Sequence, residues 1–441
     1  MDILLKNAQI ITLNDNDDVI PEGSIGIRDG RIDYTGEANR CLEAEYSKVI
    51  DCRGRTVMPG FVNAHNHLAM TMFRNYADDM KLMDWLFTKI FPMEDKLTDE
   101  SVYWGSLLAM VEMIKSGTTT FADMYFFMES TARAVSESGM RAVLSRGLQG
   151  ESGEEELDYR LRENDELFRK YHNSHNGRIK VMLAPHSVYT CSEAYLRKVA
   201  AKSLEQGIPV QIHLSESKEE VKTCVEKFGR SPVKYLEDLG LLNDRTVAAH
   251  CVAVDDADMD ILASRKVNVV HNPGSNMKLA SGAAPVFKML SRGINVCLGT
   301  DGASSNNNLD MLEEMRLAAY LQKILADDPT VLPADTVMRM ATSRGARALG
   351  FEGLGSIETG KAADMIVLNT EKAHYYPKYN IKSAIVYSGN SADVETVIID
   401  GSLIMENGHL VTLDEERILY EAQKCALKLC TSGKDVRHEE T

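Results

Sequence analysis

The chain has 441 residues, which allows one large domain or a large domain with a smaller companion. Hydrophobic residues make up 44% of the chain, as in an ordinary globular protein, and the formal net charge is −16. Binding of a nucleic acid requires a basic surface, so this acidity argues against a nucleic-acid partner. The eight cysteines include no C-x-x-C pair, and their spacing indicates neither a zinc ribbon nor a disulfide framework.

The first residues alternate between apolar and polar types and are acidic, unlike the charged and then apolar pattern of a signal peptide. No apolar run approaches the ~20 residues that a bilayer-spanning helix needs. We therefore expect a cytoplasmic protein without a membrane partner.

Both ends of the chain are predicted to consist mainly of short strands. Residues 3–13 alternate, and Asp29-Gly30 stands between two apolar runs, which is a strong hairpin signal. Strand candidates return at residues 363–368 and 394–401. We therefore predict that residues 1–58 and 357–441 form one small β domain with a terminal helix.

The centre alternates strand-like runs with helical segments, for example residues 99–116, which is typical of a parallel sheet with crossover helices. Eight β/α units over residues 59–356 fit a (β/α)₈ barrel better than a doubly wound sheet. Nearly all of the runs end in His, Asp or Arg, and barrel enzymes assemble their sites at the carboxyl ends of strands. The eight runs are residues 61–65, 118–123, 141–146, 180–186, 210–213, 246–250, 267–271 and 295–301.

His65 and His67 follow the first of these runs. Residues two apart in an extended strand point to the same side, so both imidazoles can reach one ion. An H-x-H pair alone is a weak signal, because two surface histidines in a loop would show the same pattern. His213 and Asp301 strengthen it, since they close other runs and supply a third nitrogen and an oxygen. This set suits a catalytic Zn²⁺ or a similar divalent ion.

Two further residues are candidates for acid–base chemistry beside such an ion. Glu216 stands one short turn beyond His213, where a carboxylate could shuttle a proton, although a lone Glu is usually a solvated loop charge. His250 ends the next run. It is either a core histidine or a group that orients or polarises the attacking hydroxide.

Together, residues 59–67, His213-x-x-Glu216, His250 and Thr300-Asp301 resemble the amidohydrolase superfamily, in the branch with one metal ion and no carboxylated lysine. Residues 71–86, 90–98, 185–192 and 271–276 are more specific, and resemble the 5'-methylthioadenosine/S-adenosylhomocysteine deaminases. The resemblance spans essentially the whole chain.

The resemblance implies an α/β fold in which a (β/α)₈ TIM-type barrel carries a small β-sandwich made from both chain ends. It implies a purine nucleoside as substrate and one divalent ion per chain, with zinc favoured over iron or manganese. We also expect a homo-oligomer. The ligands implied are His65, His67, His213 and Asp301.

Three residues match substrate contacts of the family. The residue matching Glu94 holds the ribose hydroxyls, the one matching His186 meets the purine base, and the one matching Arg146 helps to bind the carboxylate of S-adenosylhomocysteine.

The family has a second arginine that finds no aligned counterpart in this chain. Asp158 falls near its position, with Arg160 and Arg162 just beyond, in a highly charged stretch that favours a solvated helix face. We therefore predict that S-adenosylhomocysteine is accepted but not strongly favoured over methylthioadenosine.

The implied reaction is hydrolytic deamination at C6 of the purine. A bound zinc ion lowers the pKa of water from 15.7 to roughly 7 in the best-studied case. Asp301 would take a proton from this water, and Glu216 would protonate N1 and then help to deliver a proton to the leaving amine. His250 would stabilise the oxygen at C6, and ammonia and the hypoxanthine form would be released.

Two other readings remain open. The same scaffold could serve a guanine or cytosine deaminase or a triazine hydrolase, but a free base has no ribose diol for Glu94 to bind. A non-catalytic metal-binding scaffold would need no proton shuttle, so Glu216 and His250 argue against it.

Overall fold

The structure is a computed structural model that describes residues 2–37, 43–150 and 154–431, with side chains from 159 onwards in the last range. Within these ranges no helix has both the length and the apolar character needed to cross a bilayer. The strands are β1 Ile3–Ile11, β2 Val19–Arg28, β3 Arg31–Glu37, β4 Lys48–Asp51, β5 Arg55–Pro59, β6 Phe61–Asn63, β7 Thr118–Tyr125, β8 Arg141–Leu148, β9 Ile179–Val181, β10 Ala184–Pro185, β11 Val210–Leu214, β12 Thr246–His250, β13 Asn268–His271, β14 Asn295–Leu298, β15 Met365–Asn369, β16 Val394–Ile399, β17 Ser402–Glu406 and β18 His409–Leu410.

Helices connect the central strands and cover them. The helices are α1 Leu82–Trp85, α2 Phe91–Glu94, α3 Asp99–Lys115, α4 Met128–Ser138, α5 Glu154–Tyr171, α6 Ser174–Gly177, α7 Glu193–Gln206, α8 Lys218–Phe228, α9 Pro232–Asp238, α10 Asp256–Ser264, α11 Pro273–Lys278, α12 Val286–Ser291, α13 Met311–Ala326, α14 Ala334–Met340, α15 Ser343–Ala348, α16 Ile381–Ser388 and α17 Glu415–Thr431.

The two chain ends form one sheet, in which strands β1–β5 pair with strands β15–β18. Its order is β18-β17-β16-β15-β5-β1-β2-β3, and β4 pairs with β1. The link between the ends is the antiparallel pair β5–β15, in which Val57 lies opposite Val367. The sheet curls around its own apolar core, so that the turn at Gly30 packs against the turn at Gly401. The predicted β domain built from both chain ends is therefore confirmed.

The central strands form the predicted parallel barrel. β6, β7, β8 and β10 pair in one group, and β11 to β14 pair in register in a second. The expected run 180–186 is divided into β9 and β10. Strands such as β7 are buried at every residue, as expected for a parallel sheet that is covered by helices on its outside.

Two seams close the barrel. At one seam Leu183 bridges β10 and β11: its N–H donates to the Pro209 carbonyl and its own carbonyl accepts from the N–H of Gln211, both at 2.9 Å. At the other the N–H of Ala64 donates to the Leu298 carbonyl at 2.9 Å. Gly299 permits this closure, since a Cβ there would lie 2.8 Å from the backbone nitrogen of His65. All the strands therefore end at the same rim of the barrel.

Serine and threonine side chains cap the N-termini of three outer helices. The Thr98 side chain accepts from the N–H of Ser101 at the start of α3. The Ser192 side chain accepts from the N–H of Tyr195 at the start of α7, and the Ser217 side chain accepts from the N–H of Glu220 at the start of α8. These caps satisfy N–H groups that have no partner within a helix.

Candidate metal centre and active site

Four histidines and an aspartate meet at the carboxyl ends of the barrel strands. His65 and His67 follow β6, His213 lies in β11, His250 ends β12 and Asp301 follows β14. All five side chains are buried. The sequence spreads them over more than 230 positions, and barrel closure brings them together.

The ring nitrogens and the carboxylate oxygen of this cluster face one another at short distances. Nε2 of His67 lies 3.2 Å from Nε2 of His213 and 3.3 Å from Oδ1 of Asp301. The candidate ligand atoms of His65, His67 and His213 are within 4.8 Å of one another, and so are those of His65, His250 and Asp301. Three imidazole nitrogens and a carboxylate oxygen around one point form a donor set that suits a divalent metal ion.

The hydrogen bonds at the Nδ1 atoms of the imidazoles also fit a metal site. Nδ1 of His67 donates to the carbonyl of Met124 at 2.6 Å, and Nδ1 of His213 donates to the carbonyl of His186 at 2.8 Å. This tautomer leaves the Nε2 lone pairs free to face the shared point, as in most protein metal sites. Nε2 of His65 is buried and makes no hydrogen bond of good geometry to any described residue.

Asp301 is held by two serine hydroxyls. Its Oδ2 accepts from Ser275 at 2.6 Å and from Ser305 at 2.8 Å, so its Oδ1 faces the imidazoles. Burial alone would raise the pKa of Asp301, but the neighbouring imidazoles of His65 and His67 hold it well below its ordinary value. Its backbone has a left-handed φ of 63°, a strained conformation that is common at functional sites.

Glu216 and His250 stand beside the cluster. Oε2 of Glu216 lies 4.0 Å from Nε2 of His250, whose Nδ1 donates to the side-chain oxygen of Asn276 at 2.9 Å. Burial raises the pKa of Glu216. A buried carboxyl with a raised pKa keeps its proton more readily than a solvated one, which suits a general acid.

A pocket opens above the cluster and encloses about 650 Å³ of empty space, counting the part that is open to solvent. One wall is the helical segment from α1 through a π-helical turn at Leu86–Ile90 to α2. Besides the cluster, the lining includes Met70, Leu82, Trp85, Leu86, Phe91, Glu94, Tyr125, Phe126, Gln149, His186, Tyr189 and Leu279.

Glu94 and His186 are brought into this pocket together with Glu216. Burial raises the pKa of Glu94 to about 7, against the opposing effect of the neighbouring Tyr125 hydroxyl. Burial and the charge of His67 lower the pKa of His186 to about 3, so its imidazole is neutral. Nδ1 of His186 lies 3.0 Å from the Thr190 hydroxyl.

The guanidinium of Arg146 lies outside the pocket lining. Its Nε donates to Oε2 of Glu163 at 2.8 Å, its Nη1 donates to the Gly147 carbonyl at 2.6 Å, and the group stacks over Phe126. A contact between Arg146 and a substrate carboxylate would therefore require the guanidinium to leave Glu163.

The other charged residues of this region are also outside the pocket lining. Arg160 donates to the Gln149 carbonyl, while Arg162 lines a separate surface groove with Asp165 and Lys202. The side chain of Asp158 is outside the described part of the chain.

Sequence reasoning did not identify several groups around the site. Ser275 and Asn276 lie in a segment that resembles the deaminases, so that motif could have indicated them. Tyr125 and Ser305 carried no comparable signal, because an isolated Tyr or Ser becomes part of a site only through the fold.

Comparison with known proteins defines the class. Residues 56–404 match the Amidohydrolase family. The chain therefore belongs to the amidohydrolase family, and the predicted family and barrel fold are confirmed.

Three individual proteins are similar over nearly their full length. A 5-methylthioadenosine/S-adenosylhomocysteine deaminase from Thermoanaerobacter pseudethanolicus is 47% identical over 97% of this chain and 99% of its own. A 5'-deoxyadenosine deaminase from Methanosarcina mazei is also 47% identical, over 97% of this chain and 98% of its own. The crystal structure of an adenosine deaminase from Xanthomonas campestris, with bound zinc, is 32% identical with a TM-score of 0.93, covering 98% of this chain and 99% of that one. Relatives of the predicted kind are thus found, and all three names describe deaminases of adenosine or its analogues.

Proposed function

We propose that this protein hydrolytically deaminates adenosine and its 5'-modified analogues, with methylthioadenosine, S-adenosylhomocysteine, 5'-deoxyadenosine and adenosine as candidate substrates. The observation that carries the proposal is the buried donor cluster of histidines and Asp301 beneath a pocket that also contains Glu94, His186 and Glu216. The names of the relatives at 47% identity support the same chemistry.

One divalent ion per chain, zinc in our proposal, would be held by His65, His67, His213 and Asp301. When bound, zinc lowers the pKa of a coordinated water towards neutrality. The carbonyl partners of His67 and His213 fix their tautomers, and the two serines on Asp301 keep one of its oxygens towards the imidazoles. The zinc bound to the Xanthomonas campestris protein supports the choice of metal.

The protons would move between residues of this chain. Asp301 accepts the proton of the attacking water, and Glu216 donates one to N1 of the purine, which makes C6 more electrophilic. Glu216 then helps to deliver a proton to the amino group, so that it leaves as ammonia. His250, fixed by Asn276, stabilises the oxygen that adds to C6.

Glu94 and His186 would select the nucleoside. A carboxylate can accept hydrogen bonds from both hydroxyls of a ribose diol, and a neutral imidazole can bond with the edge of a purine. Apolar side chains such as Trp85 and Phe91 line the same wall and can pack against uncharged parts of the substrate.

The proposal also covers the partners, the assembly and the location of the enzyme. The net charge of −16 supports the expectation that nucleic acid is not a partner. Assembly as a homo-oligomer, a cytoplasmic location and the absence of a membrane partner stay predictions.

Ultraviolet absorbance tests the function, because conversion of adenine to hypoxanthine changes the spectrum. The purified protein is offered the four candidate nucleosides, with free adenine, guanine and cytosine as controls. Turnover of one or more nucleosides and none of the free bases is expected. Turnover of free bases alone would overturn the proposal.

Replacement of Glu216 tests the proton shuttle. Glu216→Gln keeps the size and removes the titrating proton, so kcat should fall by ~10²–10⁴ while the metal content stays near that of the wild type. Wild-type kcat in this variant would assign the shuttle to another residue. Loss of the metal would make Glu216 a ligand.

A further inference from the structure

Glu220, a residue that plays no part in the reaction described above, turns its carboxylate back towards the proton shuttle. It lies in the first turn of α8, and its side chain is almost fully buried. Its Oε1 accepts from the backbone N–H of Ser215 at 3.0 Å, and its Oε2 accepts from the backbone N–H of Glu216 at 2.7 Å. One carboxylate thus binds two successive N–H groups of the turn that carries Glu216.

This arrangement is unusual for a buried carboxyl group. Among the described residues, the partners of the Glu220 carboxylate are backbone N–H groups, and no cation is paired with it. Burial raises the pKa of Glu220 to about 8, and the nearby Glu216 adds to the rise. A buried polar group without a cation is costly unless its hydrogen bonds are made, so the turn and the carboxylate depend on each other.

The turn needs such support because its backbone is strained. Ser215 has a left-handed φ of 49°, which L-residues with a side chain adopt at a cost. On the other side, the Ser215 carbonyl accepts from the N–H of Ala253 at 2.8 Å, which ties the turn to the loop after β12. Glu220 therefore holds the turn through the N–H groups of Ser215 and Glu216, and the loop after β12 holds it through the Ser215 carbonyl.

We propose that Glu220 is a positioning residue that holds Glu216 in its proton-transfer geometry beside His250. The inference rests on the proposed function, since it concerns the same reaction. Proton transfer requires donor and acceptor heavy atoms within about 2.6–3.2 Å, so a small shift of the turn would impair it. Glu220 itself lies outside the pocket lining and has no direct role in the chemistry.

Glu220→Gln is the primary test. An amide offers one acceptor oxygen in place of two, so one N–H of the turn loses its partner and faces an NH₂ group. We expect kcat to fall about 10- to 100-fold with KM and metal content near wild type. Glu220→Asp keeps the carboxyl group with both oxygens but is one methylene shorter, and should show a smaller fall in kcat.

A double-mutant cycle separates positioning from general damage. If Glu220 acts only through Glu216, adding Glu220→Gln to Glu216→Gln should change kcat by less than about twofold. Asp258→Asn is the matched control, because Asp258 is another buried carboxylate at the first turn of a helix, α10, and lies outside the pocket. Its small effect on kcat should be the same in both backgrounds.

Amide hydrogen exchange gives a readout that does not depend on turnover. Exchange of the N–H groups of Ser215 and Glu216 should rise in Glu220→Gln and stay unchanged in Asp258→Asn. Failure of the wild type to deaminate any nucleoside would overturn the proposed function but leave this exchange result interpretable. Unchanged exchange, or an additive fall in kcat on the Glu216→Gln background, would overturn the role of Glu220.

Discussion

At the residue scale, the acceptors that orient two of the three histidines proposed to bind the metal are backbone atoms. His67 bonds to the carbonyl of Met124, and His213 bonds to the carbonyl of His186. A backbone carbonyl persists when its side chain is replaced. The orientation of the imidazoles is therefore set by the register of the strands and tolerates many side-chain changes nearby.

The backbone and side chain of His186 have separate roles. Its carbonyl accepts a hydrogen bond from the imidazole of His213, and its own imidazole lines the pocket. His186→Ala should therefore raise KM for nucleosides about tenfold or more, through the loss of a hydrogen bond of about 0.5–1.5 kcal/mol and of packing area, while metal content is unchanged. Steady-state kinetics and elemental analysis measure both. Loss of the metal in this variant would mean that the side chain also supports the ligands.

Arg146 is our proposed contact for the carboxylate at the far end of S-adenosylhomocysteine. Its guanidinium is engaged by Glu163, so binding of a carboxylate has to compete with an existing ion pair. We expect that Arg146→Ala lowers kcat/KM for S-adenosylhomocysteine about ten- to a hundredfold and leaves methylthioadenosine nearly unchanged, from the loss of one charge-assisted contact of about 1.5–3 kcal/mol. Equal losses for the two substrates would indicate that Arg146 supports the fold instead.

At the scale of elements, the strands were readily predictable and the loops were not. Each barrel strand is a short apolar run with a polar residue at its end, so the positions of His65, His213 and Asp301 follow from local patterns. The π-helical turn beside Trp85 has no regular sequence pattern. The contacts of Ser305 with Asp301 and of Glu220 with Glu216 each span only four residues, but they depend on the conformation of irregular loops, which leaves no period in the sequence.

The proposed ligands come from the ends of three strands, β6, β11 and β14, and His65 and His67 share the first of these, so removal of this pair should abolish metal binding without unfolding the barrel. A double variant with His65→Ala and His67→Ala should hold less than about one tenth of the wild-type metal and have no measurable turnover. Elemental analysis and circular dichroism check both statements. His409→Ala, an exposed histidine on β18, is the control and should keep metal and activity. Full activity in the metal-free double variant would refute the mechanism.

At the scale of the molecule, a buried ion-pair cluster joins the barrel to the β domain. Arg141 at the start of β8 donates to both carboxylate oxygens of Asp364, at 2.7 and 3.0 Å, and to Asp400 at 2.6 Å. The Arg141 guanidinium is 6% exposed. Its removal would leave the Asp364 carboxylate buried without a cation.

Arg141→Met should therefore lower the apparent free energy of unfolding by about 3–5 kcal/mol, because breaking one side of a buried pair leaves a charge uncompensated. Arg292→Met is the control: its partners Asp256 and Asp260 are more than 70% exposed, and the loss should be at most about 1 kcal/mol. Urea unfolding measures both variants. Similar losses in the two would contradict the view that the cluster joins the two parts of the molecule.

The pairing of β5 with β15 also has a consequence for synthesis on the ribosome. β5 ends at Pro59, whereas its partner β15 begins at Met365, so about 300 residues must be translated between them. At roughly 5–20 residues per second this takes about 15–60 s. During this interval the nascent chain carries an unpaired apolar edge, of the kind that promotes aggregation. Chaperone binding to the emerging N-terminal strands, and slow codons late in the message, would therefore affect the yield of this enzyme.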